Sequence, residues 1–441
     1  MRNSPRTLLV LLTTLNFVNY LDRYEMAAVL ETVRRDLALS NLQAGLLGTV
    51  FLSSFLLTAP IFGALGDRLP RKYLLLFGAV VWSLATVATG LSRNSVTMLF
   101  LARAFVGVGE ASFTTLAPTV IDDVAPEERR TRWLAIFHIA APVGSALGYI
   151  VGGFVAQHWG WHNAFFVGGL PGLILGVLVL AAHEPERRHS AKPPEASTLV
   201  QTARVLYGRV DYRMTVLGYT AQTFAVGAFA FWAPAFLLKR FGASLAKANF
   251  TFGLVTVVAG LLATLCGGWL GDRWQAAAEA KVRALAATGR VGASEGPFRA
   301  GPPEDADERL EEAVTVARNR ALLRVSAYAA LPAAALALAC FLAPTQPIFF
   351  VLAFLTEFGV FFSNAPINAA LLRTVPAELR SRAMAYAIFS IHAFGDLWSP
   401  AAVGILADYF GDARVQLAMM PLPVAFALAG VLWWRGARAT G

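Results

Sequence analysis

Hydrophobic and polar positions along this chain alternate on a long scale, with apolar runs separated by short polar segments. A helix needs about 20 mostly apolar residues to cross the hydrocarbon core of a bilayer. Runs of this kind lie at 8–30, 43–65, 73–92, 97–122, 132–157 and 163–182, and again at 213–238, 246–270, 321–343, 346–372, 382–406 and 415–434. The pattern predicts an all-α membrane protein with twelve transmembrane helices.

The longer polar segments divide the predicted helices into two groups of six. A proline-rich, charged stretch at 183–212 separates an N-terminal bundle, 1–182, from a C-terminal bundle, 213–441. We expect this stretch to be a cytoplasmic linker. A second polar stretch, 272–320, is predicted to be a cytoplasmic insertion with helical ends and a Gly/Pro-rich connector between them.

Composition excludes a soluble protein. Of the 441 residues, 56% are hydrophobic and 15% are charged, with a mean hydropathy of +0.56, whereas soluble chains carry about 25% charged residues. The net charge of +9 would suggest a nucleic-acid partner in a soluble chain. Here the basic residues lie mainly between apolar runs and on one side of the predicted membrane. The positive-inside rule then places both termini in the cytoplasm, and no nucleic-acid partner is expected.

Two short motifs recur in equivalent places of the two groups. The sequence LGDR at 65–68 returns at 270–273, and PEERRTR at 126–132 is matched by PAELRSR at 376–382. Matching loops in two six-helix halves predict pseudo-symmetric bundles related by an axis along the membrane normal. Transporters built in this way bind substrate near the midplane, between the halves.

Charged residues interrupt the apolar runs of the first and fourth predicted helices. They are Asp22 and Arg23 in the first, and Arg103 and Glu110 in the fourth. A charge at the bilayer centre costs about 2.5–3.5 kcal/mol on insertion scales, so such residues usually serve a function. Arg103 and Glu110 are seven residues apart and share one helical face. We expect a charge cluster lining a central cavity; a permanent ion-pair network that only joins the two helices is the alternative.

The acids of this cluster are candidate proton carriers. Burial favours the protonated form of a carboxyl and nearby arginines favour the ionised form, so a site that opens alternately to each side could take up and release a proton. Glu110 is the first candidate and Asp22 the second. Residues predicted to bind substrate in this half, with the arginines placed to hold an anionic headgroup, are Arg23, Arg103, Asn19 and Thr114.

Polar residues are sparser in the second half. Glu357 and Asn364 lie on one face of the tenth predicted helix, and His392 precedes Asp396 by one turn in the eleventh. Glu357, Asn364 and His392 are predicted to contribute to substrate binding. For His392 a satisfied core pair with Asp396 is an equal alternative, although a histidine titrates near neutral pH.

A glycine strip runs along the fifth predicted helix. Gly144, Gly148 and Gly152 repeat every four residues, a spacing that allows close helix packing. We expect close helix packing to be the role of this strip, with a part in antiport as the alternative.

Longer motifs resemble a known transporter family. GALGDRLPRK at 63–72 is similar to the loop signature of the major facilitator superfamily. The stretch 103–153, with GVGEAS, AP and PVGSALGY, resembles the Spinster family, whose animal members move sphingosine-1-phosphate or lysophospholipids. The organic-anion branch shares the Asn-Tyr-x-Asp-Arg and Gly-x-x-Glu-Ala patterns and is the nearest alternative. The resemblance implies the major facilitator fold and functional roles for Asp22, Arg23 and Glu110.

The superfamily loop also implies a cytoplasmic gate. Its aspartate would sit at the start of the eleventh helix, where free amides and the helix dipole favour negative charge; positive-inside charge alone is the alternative. The residues predicted to form this gate are Asp67, Arg68, Arg71, Lys72, Arg130 and Ser381.

We therefore expect a proton-coupled secondary transporter, working by alternating access as a monomer in the cytoplasmic (inner) membrane. Its substrate would be amphipathic and lipid-like, or an organic anion. A small organic-acid/proton symporter and a multidrug/proton antiporter of the same fold are the alternatives. The sequence has no phosphate loop or His-Glu-x-x-His motif, and its cysteines, Cys266 and Cys340, lie inside apolar runs. No enzymatic activity, cofactor or metal is expected.

Overall fold

The chain folds into helices throughout its described parts. The computed structural model describes residues 5–126, 129–180, 199–288, 306–375 and 379–439. The first helices are α1 (Pro5–Asp36), α2 (Asn41–Arg68), α3 (Arg71–Leu91), α4 (Val96–Val124), α5 (Arg130–Trp159) and α6 (Trp161–Leu180). They are followed by α7 (Leu199–Gly208), α8 (Val210–Phe241), α9 (Leu245–Ala287), α10 (Ala306–Phe341), α11 (Gln346–Phe362), α12 (Asn364–Arg373) and α13 (Arg380–Ile391). A π-helical turn (His392–Asp396) then leads to α14 (Ser399–Phe410), a 3-10 turn (Asp412–Arg414), α15 (Val415–Ala418) and α16 (Pro421–Ala439).

Ten helices of the described chain are long and apolar enough to cross a membrane. They correspond to the predicted spans except the first and the eleventh. Polar and charged residues interrupt α1, although it is 32 residues long. The eleventh span is divided by the π-turn into α13 and α14, each of 12 residues. An all-helical membrane protein is confirmed, whereas twelve crossings and cytoplasmic termini stay predictions.

Residue contacts divide the chain into two compact units. The first contains 1–192 together with Gly227–Val257 and Leu397–Ala418, and the second contains the remainder. The first unit thus includes the end of α8, the start of α9 and all of α14. Helix α7 lies inside the predicted linker, most of which falls outside the described residues.

The glycine strip of α5 packs directly on α1, as predicted. A Cβ on Gly144 would lie 2.6 Å from the Phe17 carbonyl oxygen, and one on Gly148 would lie 2.4 Å from the Leu21 carbonyl oxygen. Hydrogen at these positions therefore allows the two backbones to touch. The contact fixes α1 along the segment that carries Asp22 and Arg23.

The predicted insertion is helical at both ends. Helix α9 runs to Ala287 and α10 begins at Ala306, as expected from the sequence. The Arg283 Nε donates to Glu279 at 2.9 Å, and its Nη2 donates to Glu311 at 2.7 Å. Arg318 also pairs with Glu279. These ion pairs join the polar ends of the two helices, while the connector lies outside the described residues.

Candidate functional site

The first and fourth helices meet through a buried ion pair. Arg23 of α1 donates to the Glu110 Oε2 of α4 from its Nε at 2.8 Å and from its Nη2 at 2.5 Å. The Glu110 side chain is fully buried, whereas that of Arg23 is 23% exposed. Asn19 is also buried and lies beside Glu110. The structure thus brings together these sequence-predicted residues within the first unit.

Asp22 points to a different neighbour from Arg23. Its Oδ2 accepts a hydrogen bond from the Thr86 hydroxyl of α3 at 2.5 Å, and its Oδ1 accepts none from the described residues. Asp22 and Thr86 are both fully buried. Two adjacent residues of α1 therefore face two separate partners inside one helix bundle.

Arg103 is buried without a hydrogen-bonded counterion. Its Nε and Nη1 have no acceptor among the described residues, although it is only 2% exposed. Its guanidinium carbon lies 5.0 Å from the centre of the Phe51 ring, a cation–π distance. The charges of Asp22 and Glu110 act on it without direct contact. A buried cation with free donors is ready to bind an anion.

Aromatic rings enclose the Arg23 guanidinium. Its central carbon lies 5.1 Å from the Tyr20 ring centre, 5.2 Å from that of Phe51 and 5.4 Å from that of Phe55. Phe51 therefore contacts both arginines of the cluster. These rings hold Arg23 in place while leaving part of its side chain exposed.

Glu25 is a member of the cluster that sequence analysis missed. It lies on α1, three residues after Asp22, and is fully buried. Neither of its carboxylate oxygens has a hydrogen-bond donor among the described residues. The spacing from Asp22 was the available signal, since residues three apart share a helical face. The cluster therefore holds three carboxyl groups and two guanidinium groups.

Thr114, predicted as a substrate ligand, lies one turn beyond Glu110. It is half-buried, and its hydroxyl donates to the Glu110 carbonyl oxygen at 2.8 Å. The hydroxyl hydrogen is therefore already used in a hydrogen bond to the same helix. Its role in substrate binding stays a prediction.

One end of α2 is capped by a distant carboxylate. Asp408 of α14 accepts the main-chain amides of Asn41 and Leu42, each at 2.8 Å, and the Asn41 side-chain amide at 2.9 Å. Burial alone would raise the pKa of Asp408, but these hydrogen bonds lower it below its ordinary value. Helix N-termini bind carboxylates through their free amides and the helix dipole. The contact joins α2 to α14 on the predicted outer side.

A charge network lies beside this cap. Glu31 accepts from Arg34 and Arg35 and lies 3.4 Å from the Lys239 Nζ of α8. Lys239, whose side chain is 1% exposed, also donates to Asp412 at 2.7 Å. None of these contacts was predicted; those of Lys239 join residues far apart in sequence, whereas Arg34 and Arg35 lie within one turn of Glu31. They connect α1 and α8 to the 3-10 turn within the first unit.

Three of the predicted cytoplasmic gate residues, Asp67, Arg71 and Arg130, line a cavity at the opposite end of α2. The cavity measures about 720 Å³ and is lined by Asp67, Arg71, Asp122, Asp123, Arg130 and His138, among others. Arg71 pairs with Asp123 at 2.6 Å, and Arg130 pairs with Asp122. His138 is exposed at the wall of this cavity.

The other gate predictions lie at the edge of this arrangement or beyond it. Arg68 is exposed, and the Lys72 ammonium lies 5.2 Å from the centre of the Tyr73 ring. The side chain of Ser381 falls outside the described residues, as do 376–378 just before it. The contact between Asp67 and the eleventh helix therefore stays a prediction.

The second unit has a polar cluster of its own around Gln222. Its amide nitrogen donates to the Asn364 Oδ1 at 3.1 Å, and its amide oxygen accepts from the Ser363 hydroxyl at 2.7 Å. Ser363 separates α11 from α12, so the tenth predicted span is not one continuous helix. Glu357 is buried in α11, near Cys340 of α10.

His392 and Asp396 are paired, as one of the two predicted alternatives stated. The His392 Nδ1 lies 3.0 Å from each Asp396 carboxylate oxygen, on the π-helical turn between α13 and α14. The His392 side chain is 34% exposed, so the pair is not sealed in a core. Such turns are frequent at functional sites. Roles for His392 and Glu357 in substrate binding stay predictions.

Among the described residues, no group of three or more histidine, cysteine or acidic side chains is arranged to hold a metal ion. The long apolar helices and the buried charge cluster are typical of a multi-pass membrane transporter.

Comparisons with known proteins agree with this class. Residues 12–289 match the family model of the Major Facilitator Superfamily. The chain is 33% identical over 429 residues to Protein spinster homolog 1 of Rattus norvegicus, covering 92% of this chain and 74% of the relative. It is 30% identical to the probable sphingolipid transporter spinster homolog 2 of Arabidopsis thaliana, covering 93% and 83%. The chain belongs to the Major Facilitator Superfamily and, within it, to the Spinster family.

Solved structures support the same fold. A crystal structure of a bacterial homologue of the human lysosomal transporter Spinster, inward-facing and unoccupied, matches with a TM-score of 0.78 at 19% identity, covering 98% of this chain and 97% of that one. A D-xylose–proton symporter matches with a TM-score of 0.69 at 16% identity, covering 97% and 96%.

Proposed function

We propose that this protein is a proton-coupled secondary transporter that moves an amphipathic, lipid-like or organic anionic substrate across the cytoplasmic membrane. The observation that carries the proposal is the buried cluster in which Glu110 holds Arg23 while Arg103 has free donors. Glu110 is neutralised by its ion pair with Arg23, whereas Arg103 has no such partner among the described residues. Arg103 could therefore bind an anion, and a proton could replace Arg23 on Glu110.

Proton coupling follows from the number of charges. If Asp22, Glu25 and Glu110 were all ionised, they would outnumber Arg23 and Arg103 by one negative charge in a buried volume. An unbalanced buried charge costs several kcal/mol, so binding of one proton is favoured. Protonation of Glu110 would also free Arg23, making a second cation available to substrate.

The substrate class is inferred from the free cation and its surroundings. Arg103 has unpartnered donors on Nε and Nη1 among the described residues, and a guanidinium binds the oxygens of a phosphate or carboxylate through such donors. Phe51 beside it, with Phe55, provides an apolar face suited to a chain or ring. The Arabidopsis relative is named a probable sphingolipid transporter, and we transfer that substrate class to this chain as part of the proposal.

The cap on α2 and its neighbouring ion pairs support alternating access. Asp408, Lys239 and Asp412 tie the predicted outer ends of four helices together in the first unit. We propose that these contacts hold the outer side closed in this state and break when it opens. The gate around Asp67 would close the cytoplasmic side in turn, with Ser381 at the start of the eleventh helix. We also propose that the transporter acts as a monomer.

Reconstituted transport tests the proposal. Purified protein in proteoliposomes is offered single-chain lysophospholipids and, separately, small hydrophilic organic acids, with and without an imposed pH gradient. We expect saturable lysophospholipid movement driven by the gradient, and loss of that drive in Glu110→Gln. The exposed Glu311→Gln is the matched control.

Gradient-independent transport by the wild type would refute proton coupling, and movement of the acids alone would favour the organic-acid symporter. Broad drug resistance on expression would favour a multidrug antiporter.

A further inference from the structure

Glu25 is the buried group that the proposed mechanism does not yet use. It is fully buried in α1, and neither carboxylate oxygen accepts a hydrogen bond from the described residues. By contrast, Glu110 holds Arg23 and Asp22 accepts from Thr86. An ionised carboxyl without donors or a direct counterion is the most costly state that a buried acid can adopt.

Glu25 is packed closely against α5 and α6. A Cβ placed on Gly168 of α6 would lie 2.2 Å from the Glu25 Oε2 and 2.7 Å from its Oε1. A Cβ on Gly152 of α5 would lie 3.3 Å from the Glu25 Cγ. The carboxyl is therefore packed against two helix backbones where glycine provides the space. On these two sides there is no room for a substrate headgroup or a hydrated cation.

Two charged groups act on Glu25, and they act in opposite directions. Asp22 on α1 disfavours a second negative charge, and Arg103 on α4 favours one. Gly152 of α5 and Gly168 of α6, which lie against it, carry no charge. Arg103 donates no hydrogen bond to it here, yet it has two free donors that could neutralise Glu25 if it ionised.

We propose that Glu25 is a second proton-binding site of the transporter, protonated in this state and ionised when Arg103 turns to it. In that step the O–H bond of Glu25 breaks, the proton passes to the Asp22 carboxylate, and Arg103 pairs with the new Glu25 carboxylate. An anionic substrate bound to Arg103 prevents this pairing, so substrate and proton are held together and released together. The linkage is reciprocal, and it rests on the proposed function of Arg103 as an anion site.

Infrared spectroscopy tests the proton on Glu25 directly. Full-length protein in lipid nanodiscs at neutral pH should show the C=O stretch of a protonated carboxylic acid. Uniform ¹³C-glutamate labelling should shift the part of this band that comes from glutamate. Glu25→Gln should remove this glutamate part of the band, while the exposed Glu311→Gln should leave the glutamate part unchanged. Persistence of the full glutamate band in Glu25→Gln, or its absence from the wild type at neutral pH, would overturn the proposal.

Two further measurements keep the result interpretable. Glu25→Gln preserves the shape of the side chain, and thermal unfolding shows whether it folds; if it does not, labelled wild type compared with Glu110→Gln assigns the glutamate band by difference. In proteoliposomes Glu25→Gln should retain lysophospholipid movement with an altered pH profile, whereas an unchanged profile counts against the site. Failure of proton coupling in the wild type would appear in transport, independently of the infrared band, so the two proposals fail separately.

Discussion

The Asp408 carboxylate binds the free amides of Asn41 and Leu42, so the last turns of α14 cap the first turn of α2. The two residues joined by this cap, Asp408 and Asn41, are separated by 367 positions. The carboxylate accepts two hydrogen bonds from main-chain amides and a third from the Asn41 side-chain amide. This geometry makes the cap a sensitive point for both stability and opening.

Replacing the capping carboxylate should weaken this closure. We expect Asp408→Ala to lower the free energy of unfolding by about 1 kcal/mol, since loss of an N-cap acceptor costs about 0.5–2 kcal/mol. It should also increase labelling of a cysteine introduced at Leu42 by a membrane-impermeant maleimide. Thermal unfolding and labelling rate measure the two effects. Asp307→Ala, a change at an exposed residue near the start of α10, is the control, and equal labelling in both variants would contradict the role of the cap.

The same cap should be sensitive to acid. Because the folded-state pKa of Asp408 lies below its ordinary value, its stabilising contribution is complete above the ordinary value of about 3.9. It is lost as pH falls from there through the lower folded-state pKa. Unfolding temperature measured from pH 6 to pH 3 should therefore fall less in Asp408→Asn than in the wild type. Parallel curves for the two proteins would show that Asp408 contributes nothing to the acid response.

Removal of the unpaired buried cation should affect binding more than folding. Arg103→Gln discards free donors but no hydrogen bond within the described chain, so unfolding temperature should be unchanged or higher. A hydrogen bond to a charged group contributes about 1.5–3 kcal/mol, which corresponds to a roughly tenfold to hundredfold loss of affinity for an anionic substrate. Lysophosphatidate binding measures this loss, with Arg283→Gln as control. Normal affinity in Arg103→Gln would exclude Arg103 as the anion site.

Glu31 and Lys239 should be energetically coupled. Their charged atoms lie 3.4 Å apart and both side chains are 1% exposed. We expect Glu31→Gln and Lys239→Met each to destabilise the protein, and the double variant to be less destabilised than the sum. Contacting residues of this kind show coupling of about 0.5–3 kcal/mol. Strict additivity in chemical unfolding would mean that the pair contributes no interaction of its own.

The contact between α1 and α5 should tolerate no additional side-chain atom at Gly148. A methyl group there would meet the Leu21 carbonyl oxygen, next to Asp22. We expect Gly148→Ala to cost about 1–3 kcal/mol through overpacking and to reduce transport. Gly208→Ala is the matched control, because nothing lies within 4 Å of its Cβ position. Equal stability of the two variants would refute the packing argument.

Local sequence patterns were sufficient for much of the first unit. Apolar runs predicted the helices, and the seven-residue spacing of Arg103 and Glu110 placed both on one face of α4. The opposite signs of Arg23 and Glu110 indicated a pair across two helices. Gly144 and Gly148 indicated close packing, which depends on residue size rather than on partner identity. Each of these inferences needed the periodicity of a single helix.

Other features depend on partners that no local pattern specifies. Glu25 lacks donors because α5 and α6 present glycines to it, which becomes evident only when those helices are packed on α1. The cap by Asp408 and the pairing of Lys239 join distant segments. The π-turn at His392 adds a residue to a helical turn. Tertiary packing, rather than helix propensity, determines these positions. The break at Ser363 differs, because Pro366 lacks the main-chain donor that would bond the Phe362 carbonyl and its ring crowds that carbonyl.

The paired ends of α9 and α10 have a practical consequence for imaging. A 43-residue helix is about 64 Å long at 1.5 Å per residue, about twice the thickness of the hydrocarbon core, and α9 has this length. Its polar end is joined to α10 through Glu279 and Arg318. Most of the mass of a 47.3 kDa transporter would otherwise lie within the detergent micelle. This two-helix projection offers an antibody epitope and an alignment mark for single-particle cryo-electron microscopy.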